Sequence, residues 1–239
     1  MELAFDYTEQ AVYTPRRLGA LAGISGNTIG QWARNDLIQP TVQKGLPSNL
    51  YSFFDAAEAI AVRWLRDSGF SYEQIHNAIE GARREDERVG KKHAAWPLSR
   101  SKIGLGRATA ETKHDRGSIV LKDQSDGQYL DVTQGYDQIA FKPEFWLAIE
   151  DVLRSGGWIA RELRLKQIEV EPGLLGGQPT LAGTRWSVHH VALIAADEQG
   201  RCILHEQYEL PDKGVRECVQ WADAASRLGR RRERTSAAA

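Results

Sequence analysis

Four side chains in the stretch from Thr14 to Leu37 carry the donors and acceptors that read base-pair edges: Asn27, Thr28, Gln31 and Arg34. Steps of three and four residues put such groups on one side of a helix, with Ile29 and Trp32 free to pack on the other. A glutamine amide pairs bidentately with adenine and a guanidinium with guanine, each adding about 1–3 kcal/mol of discrimination. Thr28, Gln31 and Arg34 are therefore expected to face a major groove, with Asn27 beside them. Arg16, Arg17, Lys44 and Arg63 suit phosphate contacts, which fix register and not sequence.

The elements that must hold these groups are legible from punctuation. Thr14 is an N-cap followed by Pro15 at the first helical position, where the missing N–H costs nothing. Tyr13 and Leu18 have the spacing of a hydrophobic staple. Gly23 ends this helix, and Ser25 caps a second, giving helix, glycine turn, helix. For this window alone a plain helical hairpin is the alternative. Pro40, Gly45 and Pro47 then exclude a continuing helix, and the polar loop holding Lys44 and Asn49 suits a wing. A third helix opens at Phe54, with Asp55 and Glu58 read as a capping box. Its stripe is Ala57, Ile60, Ala61, Trp64 and Leu65, with Arg63 and Arg66 off it. Gly69 closes that helix, and Ser71 with Gln74 caps a fourth, whose buried face is Ile75, Ala78, Ile79 and Ala82.

The run Leu50-Tyr-Ser-Phe-Phe-Asp55, with Val62-Arg-Trp-Leu-Arg-Asp-Ser-Gly69-Phe-Ser-Tyr-Glu-Gln-Ile75, resembles the MerR family of winged-helix regulators. The likeness covers about residues 12 to 82. It implies a winged helix-turn-helix with residues 25 to 35 as the recognition helix and the loop around Lys44 as the wing. Two departures stand out. Gln31-Trp32-Ala33 occupies the place of the usual Arg-Tyr-Tyr, and no long coiled-coil helix is expected beyond residue 82.

Composition sets the frame for the rest. The chain has 239 residues, 41% apolar and 26% charged, which fits an ordinary globular protein of two or three small domains. No apolar run approaches the roughly 20 residues of a membrane helix. The opening MELAFDYTEQ lacks the basic and apolar regions of a signal peptide, so a cytoplasmic location is expected. Cys202 and Cys218 make neither a disulfide framework nor a zinc set. The net charge of -1 hides a segregation. Residues 91 to 122 hold eight Lys/Arg against two acids, whereas 123 to 152 hold seven acids against Lys142.

Residues 91 to 117 have no clear period and read as a basic linker. Ser118 to Lys122 and Tyr129 to Thr133 read as a strand hairpin turning at Ser125-Asp126-Gly127. Ile139 to Phe141 is a candidate third strand. A helix follows from Pro143, with Phe145, Ile149 and Val152 inside, and ends at Gly156-Gly157. So small a sheet must pack on something, and a homodimer contact is the favoured reading. From Ile168, Gly176-Gly177-x-Pro179 forces a turn. Gly183-Thr184-Arg185 precedes a helix with Val188, Val191, Ala192 and Ala195. A second short helix holds Cys202 to Leu204, and a third begins near Asp212 with Val215, Cys218, Val219 and Ala222 inside. Thr184 is a candidate cap, and Arg185 a candidate anchor for a buried carboxylate.

Gly-Gly-x-Pro-x-x-x-Gly-Thr-Arg-x-x-Val, followed by Tyr208-Glu-Leu-Pro, is similar to a small domain of prokaryotic antitoxins that often accompany PIN-class ribonuclease toxins. The likeness covers about residues 168 to 225, departing at Ala195 to Gly200, where related sequences have a shorter turn. With the MerR-like head, the chain resembles the VapB antitoxins of VapBC pairs, mycobacterial members most closely. The resemblance implies an antitoxin that neutralises a VapC-type PIN endoribonuclease and represses its own operon, with toxin and operator DNA as partners. PIN nucleases hold Mg²⁺ with carboxylates, and guanidinium groups can pair with those carboxylates and displace the metal. Toxin binding by Arg230, Arg231, Arg232 and Arg234 of the tail follows as an expectation.

No catalytic constellation is evident. Adjacent His189 and His190 point about 100° apart on a helix, His205-Glu206 is not a zincin motif, and Gly104-Leu-Gly106 is an incomplete phosphate loop. The chain is thus read as a non-enzyme without cofactor or metal. The expected fold is mainly α with a small β component. A winged helix-turn-helix (1–90) leads by a basic linker (91–117) to a strand hairpin plus helix (118–165). A trihelical, helix-turn-helix-like domain (166–228) and a disordered Arg-rich tail (229–239) complete it. The competing function is a MerR-like regulator that answers a small ligand and has no toxin partner.

Overall fold

The computed structural model describes residues 11–45, 48–88, 98, 102–105, 119–122, 129–132 and 146–230. Thr14 caps α1 (Pro15–Leu21), its hydroxyl accepting from the Arg17 N–H. Ser25 caps α2 (Gly26–Arg34), accepting from the Thr28 N–H at 3.1 Å. Gly23 makes the turn between them at φ +69°. Tyr13 and Leu18 are both buried, as the staple requires. After α2, Gln43 and Leu50 exchange two backbone hydrogen bonds, 3.2 and 2.8 Å, across the wing that carries Lys44. A second bridge, Tyr13 with Tyr51, ties the start of α1 to the start of the next helix.

α3 spans Phe53–Asp67, and its stripe of Ala57, Ile60, Ala61, Trp64 and Leu65 is buried. Its capping box is one step earlier than expected. Ser52 Oγ accepts from the Asp55 N–H, and Asp55 Oδ2 accepts from the Ser52 N–H. The Thr41 N–H and hydroxyl also donate to Asp55 Oδ2, at 3.0 and 2.8 Å. Asp55 is thus the third residue of the helix, and Glu58 turns inward to accept from the Leu98 N–H at 3.3 Å. α4 (Tyr72–Arg88) starts with the expected Ser71–Gln74 box and runs six residues past residue 82.

β1 (Lys102–Leu105), β2 (Ile119–Lys122), β3 (Tyr129–Asp131) and β4 (Trp146–Leu147) form an antiparallel sheet in the order β3-β2-β1-β4. The expected hairpin is present, with Leu121 opposite Leu130, while its turn and the strand at 139–141 lie outside the described residues. Two readings are corrected. Residues 102–105, taken as linker, are an inner strand with Ile103 buried. Trp146 and Leu147, taken as helix, pair with β1 through Gly104 and Ile103, so α5 begins only at Ile149 (Ile149–Arg154). In both cases pairing with a remote strand decides the state. The sheet's buried residues Ile119, Leu121, Val132 and Leu147 belong to the same core as the helices.

α6 (Gly157–Leu163) was not anticipated, because Gly156-Gly157 reads as a terminator. Gly157 instead permits a close approach. At φ +77°, a Cβ there would stand 2.5 Å from the Leu21 carbonyl oxygen at the end of α1.

A two-stranded hairpin, β5 (Ile168–Glu169) with β6 (Thr180–Leu181), frames the Gly-Gly-x-Pro loop. Then come the three expected helices, α7 (Val188–Ile194), α8 (Glu198–Glu206) and α9 (Asp212–Arg230). Ser187, not Thr184, caps α7. The Thr184 hydroxyl instead donates to the Leu181 carbonyl and accepts from the Trp186 N–H, closing the turn. On α9, Val219 is 38% exposed, and Trp221 takes the core position with Val215 and Cys218. Buried Glu217 accepts from the Lys166 and Gln167 N–H groups at 2.6 and 2.7 Å, fixing the chain as it enters β5.

One buried cluster runs from Ala11 to Trp221. Within it the Tyr13 hydroxyl donates to the Gly177 carbonyl at 2.9 Å, and Trp221 Nε1 donates to the Gly156 carbonyl at 2.9 Å. The fold is mainly α with a small β component. No helix among the described residues is long and apolar enough to cross a membrane.

Candidate nucleic-acid interface

α2 is held from behind. Ile29 and Trp32 are buried, and Trp32 Nε1 donates to the Tyr72 hydroxyl of α4 at 3.4 Å. That fixes which side looks outward. Asn27, Gln31 and Arg34, at i, i+4 and i+7, make one exposed stripe. Arg34 has no ion pair among the described residues, so its guanidinium is available. Thr28 differs from expectation in degree. It is half-buried, and its hydroxyl lies 2.8 Å from Ser25 Oγ, engaged at the cap.

Arg16 and Arg17 are exposed on the first turn of α1. The Arg16 backbone touches the start of α2: a Cβ on Gly26 would lie 3.0 Å from Arg16 Cα. Neither helix has an acidic residue in its first turn, so positive charge there meets no local opposition. Lys44 is exposed in the wing. Arg63 is placed differently: its guanidinium lies 2.8 Å from Asp67 and 3.6 Å from Glu162 of α6, so two carboxylates already balance it.

His189 of α7 joins this surface, which no local pattern signalled. Its ring stands edge-on to Trp221 at 5.6 Å. Its pKa is lowered, first by burial and then by the charges of Arg16 and Arg17. The C-terminal module therefore carries a titratable group within electrostatic reach of the phosphate candidates of α1.

An open cleft of about 640 Å³ lies elsewhere on that module, between Trp186, His190, Tyr208, Leu175 and Leu210. Arg185 on its rim is exposed and has no ion pair among the described residues, which corrects its reading as an anchor for a buried carboxylate. Cys218 is buried and its thiol is pushed up to about 12, mainly by desolvation. Among the described residues no group of three or more His, Cys, Asp or Glu side chains is placed to hold a metal ion. Arg230 is the last residue of α9, while Arg231, Arg232 and Arg234 lie outside the described residues.

No curated protein matches the chain. Among solved structures it is similar to the X-ray crystal structure of Rv2018 from Mycobacterium tuberculosis, at 16% identity over 87% of this chain and 96% of that chain, with a TM-score of 0.45. Residues 168–222, from β5 into α9, are similar to a protein family described as "Protein of unknown function (DUF433)".

Proposed function

We propose that this chain is a DNA-binding antitoxin that neutralises a VapC-type PIN endoribonuclease and represses its own operon as a homodimer. The observation that carries the DNA half is the outer stripe of α2. Asn27, Gln31 and Arg34 are exposed on a helix whose inner face is fixed, with Arg16 and Arg17 alongside. Phosphate contacts from the arginines and Lys44 set the register, and Gln31 and Arg34 read bases. The antitoxin half rests on the resemblance of the Gly-Gly-x-Pro…Gly-Thr-Arg segment. In this reading the tail arginines, Arg230, Arg231, Arg232 and Arg234, reach the toxin's carboxylates.

The test is co-expression of the tagged chain with the small open reading frame beside its gene. The complex is weighed in solution, and binding to the chain's own promoter is titrated. A stoichiometric complex that relieves toxicity and retards promoter DNA is expected. A chain that binds the promoter but captures no neighbour would refute the antitoxin half and leave a ligand-responsive regulator.

A further inference from the structure

We infer that Tyr72 is a DNA-backbone contact, its hydroxyl donating to a phosphate at the end of α2 away from Arg16 and Arg17. The inference rests on the DNA-binding reading above and adds to it a neutral residue that no basic pattern marks. Tyr72 is the first residue of α4 and is 47% exposed, whereas Trp32 on the inner face of α2 is 3% exposed. Trp32 Nε1 donates to the Tyr72 hydroxyl at 3.4 Å, so this oxygen sits where the packed face of α2 gives way to solvent. A phenol oxygen both accepts and donates. Trp32 takes the accepting side, and the hydroxyl proton has no acceptor among the described residues.

The ring is held. The Arg66 guanidinium lies 4.0 Å from its centroid, and Arg66 Nη1 donates to the Phe70 carbonyl at 2.6 Å. The donor is therefore in place before any ligand arrives, which lowers the ordering cost of binding. Arg66 has no ion pair among the described residues, so positive charge stands beside the free O–H. Neighbouring Asp67 is already balanced by Arg63 at 2.8 Å, and Glu73, one step along α4, points about 100° away.

Position along α2 identifies the ligand. Arg16 lies against the start of that helix, its Cα 3.0 Å from where a Cβ on Gly26 would stand. From Gly26 to Trp32 the helix rises about 9 Å. Arginines at one end and a tyrosine at the other then approach the width of a major groove, about 12 Å. A helix laid in that groove with Gln31 and Arg34 toward the bases meets phosphates at both ends, and tyrosine is among the side chains that bond them. A protein carboxylate also accepts such a proton, but a duplex supplies a second anion at Arg16 and Arg17 on the same spacing.

The experiment titrates the full-length chain against the promoter duplex upstream of its gene and against a scrambled duplex of equal length. Wild type is compared with Tyr72→Phe, which keeps the ring under Arg66 and removes one oxygen; urea unfolding checks that the fold is kept. Affinity should fall about tenfold, the weight of one hydrogen bond to a charged group, and by a like factor on both duplexes. The slope of log K against log salt should keep its wild-type value, because a neutral donor displaces no counterion. In a scan of the promoter with single methylphosphonates, one position should weaken wild type more than it weakens Tyr72→Phe. Unchanged affinity in Tyr72→Phe, or equal methylphosphonate costs in both proteins at every position, overturns the inference and leaves the DNA-binding reading intact. A loss confined to the promoter duplex also overturns it, since Tyr72 would then act only by orienting α2 through Trp32. A wild-type chain that binds neither duplex overturns both.

Discussion

Replacing Tyr13 by phenylalanine removes one oxygen from the joint between the helix-turn-helix and the C-terminal module. Tyr13 is 1% exposed, and burial raises its hydroxyl well above the ordinary tyrosine range, so it stays a donor at any working pH. It gives that proton to the carbonyl of Gly177, itself buried, at 2.9 Å. In Tyr13→Phe the ring still fills its site, but the carbonyl loses this donor in a place shielded from water. Leaving a buried polar group unsatisfied costs about 1–3 kcal/mol. For a chain of this length that corresponds to a fall in Tm of about 2–12 °C. Urea unfolding followed by far-UV circular dichroism measures it, with the m-value expected to hold. DNA affinity should change little, because α2 keeps its anchors at Ile29, Trp32 and Tyr72. A variant within about 0.5 kcal/mol of wild type, the range of a substitution that breaks nothing, would refute the claim that this bond holds the joint.

Three further outcomes follow from the basic surface. Arg34→Ala should weaken binding to the cognate site by about 1–3 kcal/mol and barely touch binding to random DNA, measured by titrating both duplexes. Equal losses would move Arg34 to the phosphate class. Replacing Arg16 and Arg17 together should lower affinity for all sequences and reduce the slope of log K against log salt by about 2. An unchanged slope removes them from the interface. Because the folded chain lowers the pKa of His189, the unfolded chain takes up this proton more readily. Its contribution is whole above the ordinary value of 6.5 and is lost as pH falls through and below it. His189→Gln should therefore flatten part of the stability loss between pH 7 and pH 5 in urea titrations, and an identical pH profile in both proteins would contradict the shift.

Local chemistry made much of the helical structure legible. The caps at Thr14, Ser25 and Ser71 need only the next three residues to work, and each was readable from them. The box at α3 was misplaced because Asp55 looks like a cap and is the third residue of a box opened by Ser52. The face of α9 was turned because a pattern of small apolar residues favours Val219, whereas Trp221 has more surface to bury and a carbonyl at Gly156 to meet. Strands β1 and β4 were missed for another reason. Four and two residues are too short to show a period, and pairing makes them strands, β1 with both β2 and β4, and β4 with β1.

The same division runs through the candidate site. The stripe of Asn27, Gln31 and Arg34 was visible because one helix carries it, so spacing alone predicts the face. What the spacing could not show is how α1 is held. The Leu21 carbonyl at its end rests against Gly157, Tyr13 before it is hydrogen-bonded to Gly177, and the charges of Arg16 and Arg17 reach His189. Each of those partners comes from a remote segment, and all lie in or beside the C-terminal half. A phosphate seated on Arg16 and Arg17 would also lie near His189, where its negative charge opposes the effect of the two guanidiniums and favours the imidazolium. DNA binding would then draw a proton onto α7. By linkage, DNA affinity should rise as pH falls from 8 to 6 in the wild-type chain and lose that component in His189→Gln. A pH-independent difference between the two proteins would place His189 outside the reach of the bound phosphate.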